Sequence, residues 1–379
     1  SLFCFDLSKP EIRLLDAGAG TGILSAAVVD KLVESDYEGR IHLTCYETDE
    51  NVLPLLEANL EFLHSEYGVE YSIVRDNYIT SQNFEGDTLF SVQDNVYDYI
   101  IGNPPYLKIP KDADEARVMP SICYGAPNLY FLFWAMGIHN LKEGHELVYI
   151  VPRSWTSGAY FKKFREYFFK NCVITDMHLF ESRDKVFEGE SVLQETVIVK
   201  VKKTTATPEY INITSSSTSQ FTDLKTFRAP YATVVARNQF VYLVTNEADA
   251  AVLSLINRFD KTLPDMNLRM QTGVIVDFRT REVLRDHLED GSYPLLYSQH
   301  IRNGRVVWPL GKEGEVIKTD RKAFLQENSD FLMVKRFTSK EEDRRLQCGI
   351  YLKQRFSQFP YISTCLLYTS PSPRDMRRS

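Results

Sequence analysis

A glycine turn set between an apolar strand and a helix constrains this chain more than any other feature. Leu14-Leu15-Asp16-Ala17-Gly18-Ala19-Gly20-Thr21-Gly22 runs from a short apolar segment directly into helical spacing over 22–33. Glycines at 18, 20 and 22 let the backbone turn sharply and approach a ligand closely, because no Cβ restricts them. The helix that follows presents N–H groups with no partner inside the helix. Such a turn fits a strand–helix–strand order, and the next two hundred residues keep that order. Segments 12–16, 41–47, 71–76, 97–102 and 147–152 read as strands. Segments 52–65, 129–141 and 160–170 read as helices, and 173–180 and 195–201 as closing strands. Alternation of this kind implies a mostly parallel sheet with helices on both faces, right-handed connections, and ligands beyond the carboxyl ends of the strands.

Residues 204–238 change character. Threonine and serine become dense and periodicity fades, which reads as a linker or irregular segment after a catalytic domain over 1–203. A helix over 248–258 follows, with Val252, Leu255, Ile256 and Phe259 as its apolar stripe. Short strand patterns at 274–278, 294–297 and 306–308, punctuated by glycines, suggest a smaller α+β domain over 239–363. The final stretch, from Cys365-Leu366-Leu367-Tyr368 through Arg374-Asp375, resembles the conceptual translation of a transposon-type sequencing adaptor. Residues 364–379 are therefore expected to be read-through that stands outside the fold. The chain begins at Ser1, and it is expected to be a fragment lacking its own N-terminus.

Composition narrows the class. Hydrophobic residues make up 44% and charged residues 25%, an ordinary globular balance without a run long enough to span a membrane. Six scattered cysteines with no Cys-x-x-Cys pair argue for a reduced, cytoplasmic protein without structural zinc. A net charge of −7 gives no general attraction to nucleic acid, but a local basic surface matters more than the total.

Two sets of residues carry chemistry. In the first, Asp16 ends the opening strand. A carboxylate there suits the cationic, hydroxyl-rich end of S-adenosylmethionine and would repel a pyrophosphate, which separates this turn from similar dinucleotide turns. Gly18, Gly20, Thr21 and Gly22 form the turn itself. Glu47 ends the next strand, where a carboxylate accepts hydrogen bonds from ribose hydroxyls. Asp76 is placed at the third strand to meet the cofactor's adenine, with Asn77 as its alternative. In the second set, Asn103-Pro104-Pro105-Tyr106 follows the strand at 97–102. Two prolines stiffen that loop and contribute no N–H. The Asn103 side-chain oxygen and the Pro104 carbonyl are then acceptors for the two hydrogens of a planar amine, whose delocalised lone pair needs such help to attack an electrophile. Tyr106 offers a ring face for a planar substrate. In this order, the two sets point to methyl transfer from S-adenosylmethionine to an amino or amide nitrogen.

With these motifs in place, the chain resembles the gamma class of adenine-N6 DNA methyltransferases of type II restriction–modification systems. The resemblance extends through Val151-Pro152-Arg153-Ser154-Trp155, Gln271-Thr272-Gly273-Val274 and Lys335-Arg336-Phe337-Thr338. It implies an α/β, Rossmann-like methyltransferase sheet with a C-terminal α+β target-recognition domain. It also implies that Asp16, Gly18, Gly20, Thr21, Gly22, Glu47 and Asp76 bind the cofactor. Asn103, Pro104 and Tyr106 would hold the target, and Phe187 would pack against the extruded base. Double-stranded DNA is the implied substrate, with a restriction endonuclease, fused or separate, as partner. The rival readings are a protein-glutamine methyltransferase using the same loop and an inactive DNA-binding relative.

Overall fold

A computed structural model describes residues 3–85, 96–180, 196–217, 221–275, 280–338, 342, 344 and 346–371. The chain divides into two compact units, Ser1–Arg258 and Phe259–Ser379.

The first unit is built as the alternation requires. Its elements are β1 (Glu11–Ala17), α1 (Ile23–Glu34), β2 (Arg40–Tyr46), α2 (Leu53–Tyr67), β3 (Glu70–Val74), β4 (Tyr97–Gly102), α3 (Asp114–Val118), α4 (Leu129–Asn140), β5 (Leu141–Pro152), α5 (Lys162–Asn171), β6 (Cys172–Phe180), β7 (Thr196–Lys203), β8 (Tyr210–Ser216), β9 (Lys225–Pro230), α6 (Tyr231–Val234) and α7 (Glu247–Ile256). The nine strands form one sheet in the order β3-β2-β1-β4-β5-β7-β6-β8-β9. Strands β1 to β5 pair in parallel, while β7 runs antiparallel between β5 and β6.

Both faces of the sheet are covered. Along β1, Ile12 and Leu14 point into a core shared with Val28, Val29 and Leu32 of α1 and Leu56, Leu60 and Leu63 of α2. Leu15 and Ala17 enter the opposite core, with α4 and α5. α4 is buried from Tyr130 to Ile138 without interruption, which explains why its apolar residues have no preferred face. Trp134 and Trp155, with ring centroids 4.9 Å apart, pack with Phe164 and Phe168 of α5, all four fully buried. Each such burial contributes roughly 1.5–3 kcal/mol. No helix among the described residues is long and apolar enough to cross a membrane.

Three expectations change. Residues 204–238 are not a linker: β8 and β9 lie within them and extend the sheet beyond β6. Their alternation is buried–exposed, with Ile211 and Ile213 inward, and the serines and threonines hide it. The helix expected at 248–258 exists as α7 and belongs to the first unit, but its expected stripe does not pack. Val252, Leu255, Ile256 and Phe259 are exposed, and Ala250 is the buried position. Finally, residues 364–371 do not stand apart. Leu367–Pro371 pairs with Leu268–Thr272 and with Phe331–Val334, and Leu366 and Tyr368 are buried. The described part of the second unit consists of two sheets joined by 3-10 turns. Its cores centre on Leu296, Phe331, Met333 and Tyr351, and on Leu295, Tyr297 and Ile317.

Candidate active site

β1 and β4 are neighbours, with Asp16 opposite Ile101, so the glycine turn and the Asn103 loop leave the sheet side by side. This is also where the strand order reverses direction, with β2 and β3 on one side and β5 on the other. In open sheets the crevice at such a point receives ligands.

The turn is shaped by its glycines. Gly18, Gly20 and Gly22 have φ of +74°, +55° and +79°, the left-handed region closed to most residues. The Gly18 and Ala19 N–H groups both donate to the Tyr46 carbonyl at 2.9 Å, which clamps the turn to the end of β2. Gly22 begins α1, and a Cβ there would meet Leu56 Cδ1 at 2.9 Å. Asn59 of α2 donates to the Thr21 carbonyl at 2.7 Å.

The carboxylates hold different positions. Glu47 is fixed by three backbone donors: Gly20 N–H to Oε2 at 2.8 Å, and Thr48 and Asp49 N–H to Oε1 at 2.7 and 2.9 Å. A carboxylate has about four acceptor sites, so Oε2 keeps capacity for a ligand hydroxyl. Asp76 is exposed two residues beyond the end of β3. Asn77 is engaged elsewhere, accepting from the Ile79 and Thr80 N–H groups and donating to Glu115. Asp16 is fully buried behind the turn. Its Oδ2 accepts from Ser25 Oγ at 2.7 Å, and its Oδ1 has no partner. Burial pushes its pKa up to about 6, opposed by the Ser25 hydrogen bonds and aided by the charge of Glu47.

In the second loop, Pro104 is buried while Asn103 and Pro105 are exposed. The Tyr106 hydroxyl lies 2.6 Å from Asn103 Oδ1 and 3.0 Å from the Ile150 carbonyl, and can donate to either. Burial raises the Tyr106 pKa, so the hydroxyl keeps its proton. The Tyr106 ring meets Tyr130 edge-on, with centroids 6.2 Å apart. The Pro104 carbonyl receives no hydrogen bond among the described residues.

The two loops share one cavity of about 310 Å³. Gly18, Tyr46, Glu47, Thr48, Asp76, Asn77, Tyr78, Asn103, Pro105 and Phe133 line it. A Cβ on Gly18 would lie 3.6 Å from Phe133 and 4.0 Å from Pro105, so the turn faces the Asn103 loop directly. Of the residues expected from sequence, Gly18, Glu47, Asp76 and Asn103 form the wall. Asp16, Gly20, Thr21, Gly22, Pro104 and Tyr106 flank or support it. Phe187 lies outside the described residues. Phe133, Tyr46 and Tyr78 were not anticipated. The unbroken apolar run of α4 was the available signal for Phe133, but it does not say which residue turns toward the cavity.

The sequence is similar to known methyltransferases over most of its length. M.BsuBI of Bacillus subtilis, a type II methyltransferase, is 32% identical over 347 residues, covering 89% of this chain and 69% of that one. The chain belongs to the type II methyltransferases. A second member, M.PstI of Providencia stuartii, is 31% identical over 359 residues, covering 92% and 70%. The family described as Eco57I restriction-modification methylase matches residues 39–187. Among solved structures, the type IIG restriction endonuclease BpuSI aligns with 97% of this chain and 51% of its own, at 14% identity and a TM-score of 0.49. As a type II methyltransferase, the chain is a methyl-transferring enzyme of the modification side of restriction–modification. The cofactor expected from its sequence is S-adenosylmethionine. The residues present fit that cofactor. A left-handed glycine turn leaves room for close approach, Glu47 retains acceptor capacity, and the buried Asp16 Oδ1 lacks a partner beneath a site for a cationic ligand.

Proposed function

We propose that this enzyme methylates the N6 amino group of an adenine extruded from double-stranded DNA. The observation that carries this reading is the facing of Gly18 and the Asn103 loop across one cavity. S-adenosylmethionine supplies a methyl group activated by a sulfonium. Gly18, Gly20, Thr21, Gly22, Glu47 and Asp76 hold it, and Asp16 supplies negative charge from behind the turn.

The chain's own residues then act on the amine. Asn103 Oδ1 and the Pro104 carbonyl each accept one N–H, which draws the nitrogen out of conjugation and directs its lone pair toward the cavity. The work is orientation and electrostatic stabilisation, without a tuned general base. When Asn103 Oδ1 takes an amine hydrogen, the Tyr106 hydroxyl can still donate to Ile150. A base inside a duplex cannot reach this cavity, so the nucleotide must swing out of the helix. The second unit supports a DNA substrate over a protein glutamine. It adds two sheets to the catalytic unit, and sequence-selective methylation needs surface for groove contacts.

The test is methyl transfer to duplexes covering random sequence, followed by nucleoside analysis. N6-methyladenine supports the reading, while N4-methylcytosine or methylated protein overturns it. Asn103→Ala should lower the rate by about 100-fold or more while the cofactor still binds.

A further inference from the structure

Two exposed tyrosines and a lysine stand beside the catalytic loop with no role in packing the fold. The chain leaves Tyr106 through Leu107 and Lys108. This stretch is tied to the start of α4: Leu129 N–H donates to the Leu107 carbonyl and Ile109 N–H to the Pro127 carbonyl, both at 2.8 Å. The intervening excursion carries Tyr124, and the turn after β5 carries Tyr160. They are 60% and 54% exposed, and Leu107 is 59% exposed. The two rings meet at 65° with centroids 6.1 Å apart, and Lys108 Nζ lies 5.6 Å over the Tyr160 ring. Gly125, at φ +70°, lets the backbone pass close to Tyr160, since a Cβ there would sit 3.1 Å from the ring.

This surface is continuous with the site. Phe161, next to Tyr160, packs on Tyr130 with centroids 5.7 Å apart, and Tyr130 in turn meets Tyr106. It is also basic. Lys108, Lys111 and Lys163 are exposed and form no ion pair among the described residues. Lys163 acts electrostatically on Cys123, beside Tyr124, and Glu85 acts there with the opposite sign. Carboxylates stand near them too: Asp112 is exposed beside Lys111, Asp114 pairs with Arg117, and Glu85 and Glu115 accept from the Ser121 N–H and from Asn77. Protein interfaces are depleted in lysine at their centres. Two exposed aromatic rings with a lysine over one of them fit a strand of nucleic acid instead, with bases or sugars on the rings and a phosphate on the cation.

We propose that Lys108, Tyr124 and Tyr160 hold the target DNA strand next to the extruded nucleotide, with Lys108 on a phosphate and the tyrosine rings against the neighbouring sugar and base. This rests on the DNA reading above and assigns that reading a surface. The test uses Tyr124→Ala, Tyr160→Ala and Lys108→Gln, with Tyr124→Phe and Tyr160→Phe as conservative partners. Each alanine variant should raise the KM for duplex DNA about ten-fold, with S-adenosylmethionine affinity and thermal midpoint unchanged. Each phenylalanine variant, which keeps its ring, should stay within about two-fold of the parent. Lys108→Gln should reduce the slope of log affinity against log salt by about one. An unchanged KM in both alanine variants, or an unchanged salt slope, overturns the assignment. So does an equal loss in the phenylalanine variants. If the parent enzyme methylates no duplex, the DNA reading itself falls, and that result is distinct from an active parent with indifferent variants.

Discussion

Replacing Asp16 by asparagine tests whether the carboxylate behind the glycine turn is as costly as its surroundings demand. Asp16 is fully buried, one oxygen bonded to Ser25 and the other without a partner, and its pKa stands at about 6 against an ordinary 3.8. The sign follows from proton counting. Between these two values the folded chain keeps the Asp16 proton and the unfolded chain has lost it, so stability falls as pH rises. Below the window there is no penalty, and above pH 6 it is complete, at about 3 kcal/mol for a gap of about two pH units. At pH 4.5 roughly 1 kcal/mol has already been lost, which leaves about 2 kcal/mol to appear between pH 4.5 and pH 8. An asparagine can still accept from Ser25 and does not titrate. Urea unfolding of parent and variant without cofactor, at both pH values, isolates the group because other titrations cancel in the difference. The variant should gain about 2 kcal/mol on the parent across that range. With a slope of about 3 kcal/mol/M, that is a relative midpoint shift of about 0.7 M. A stability difference that stays flat with pH refutes the argument, whatever its size at either end. The same substitution should weaken S-adenosylmethionine binding at pH 8 about ten-fold, since it removes a negative charge near a cationic ligand.

Other expectations follow from single contacts. Gly22→Ala should destabilise the first unit by about 2 kcal/mol or more in urea unfolding, because it strains a φ of +79° and drives a Cβ to 2.9 Å from Leu56. Glu47→Gln should lower cofactor affinity and cost about 1–2 kcal/mol of stability, since either amide orientation sets an NH₂ against a backbone N–H that now meets an oxygen. Isothermal titration and urea melts read the two effects. Tyr106→Phe keeps the ring but releases Asn103 from its hydroxyl. It should lower kcat about ten-fold with little change in DNA KM, and an unchanged kcat would show that the hydroxyl does not hold Asn103 in place.

The legible parts of this protein were those set by local chemistry. Glycines at 18, 20 and 22 announced a sharp turn, and all three adopt positive φ. The apolar segments located β1 to β7 and α1, α2, α4 and α5 within a few residues, except that β5 begins at Leu141, six residues before the expected start. The carboxyl-end placement of both motifs followed from strand–helix alternation. Less was visible where burial depends on distant partners. Ile211 and Ile213 sit among threonines and serines, so β8 reads as polar chain until β6 is placed beside it. The α7 stripe has a helical period and still faces outward.

Sequence alone thus determined the first seven strands, the glycine turn and the polar groups that the Asn103 loop carries, since turn geometry and side-chain chemistry act over a few residues. Tertiary structure decided which of these groups face one another. Only the pairing of β1 with β4 sets Gly18 against Pro105, and only the crossing of α4 brings Phe133 to the same wall. Only the arrival of β5 gives the Tyr106 hydroxyl a carbonyl besides Asn103. Asp16 could be named from the chain, but its displaced proton equilibrium comes from the packing of two cores around it, a property no local window contains.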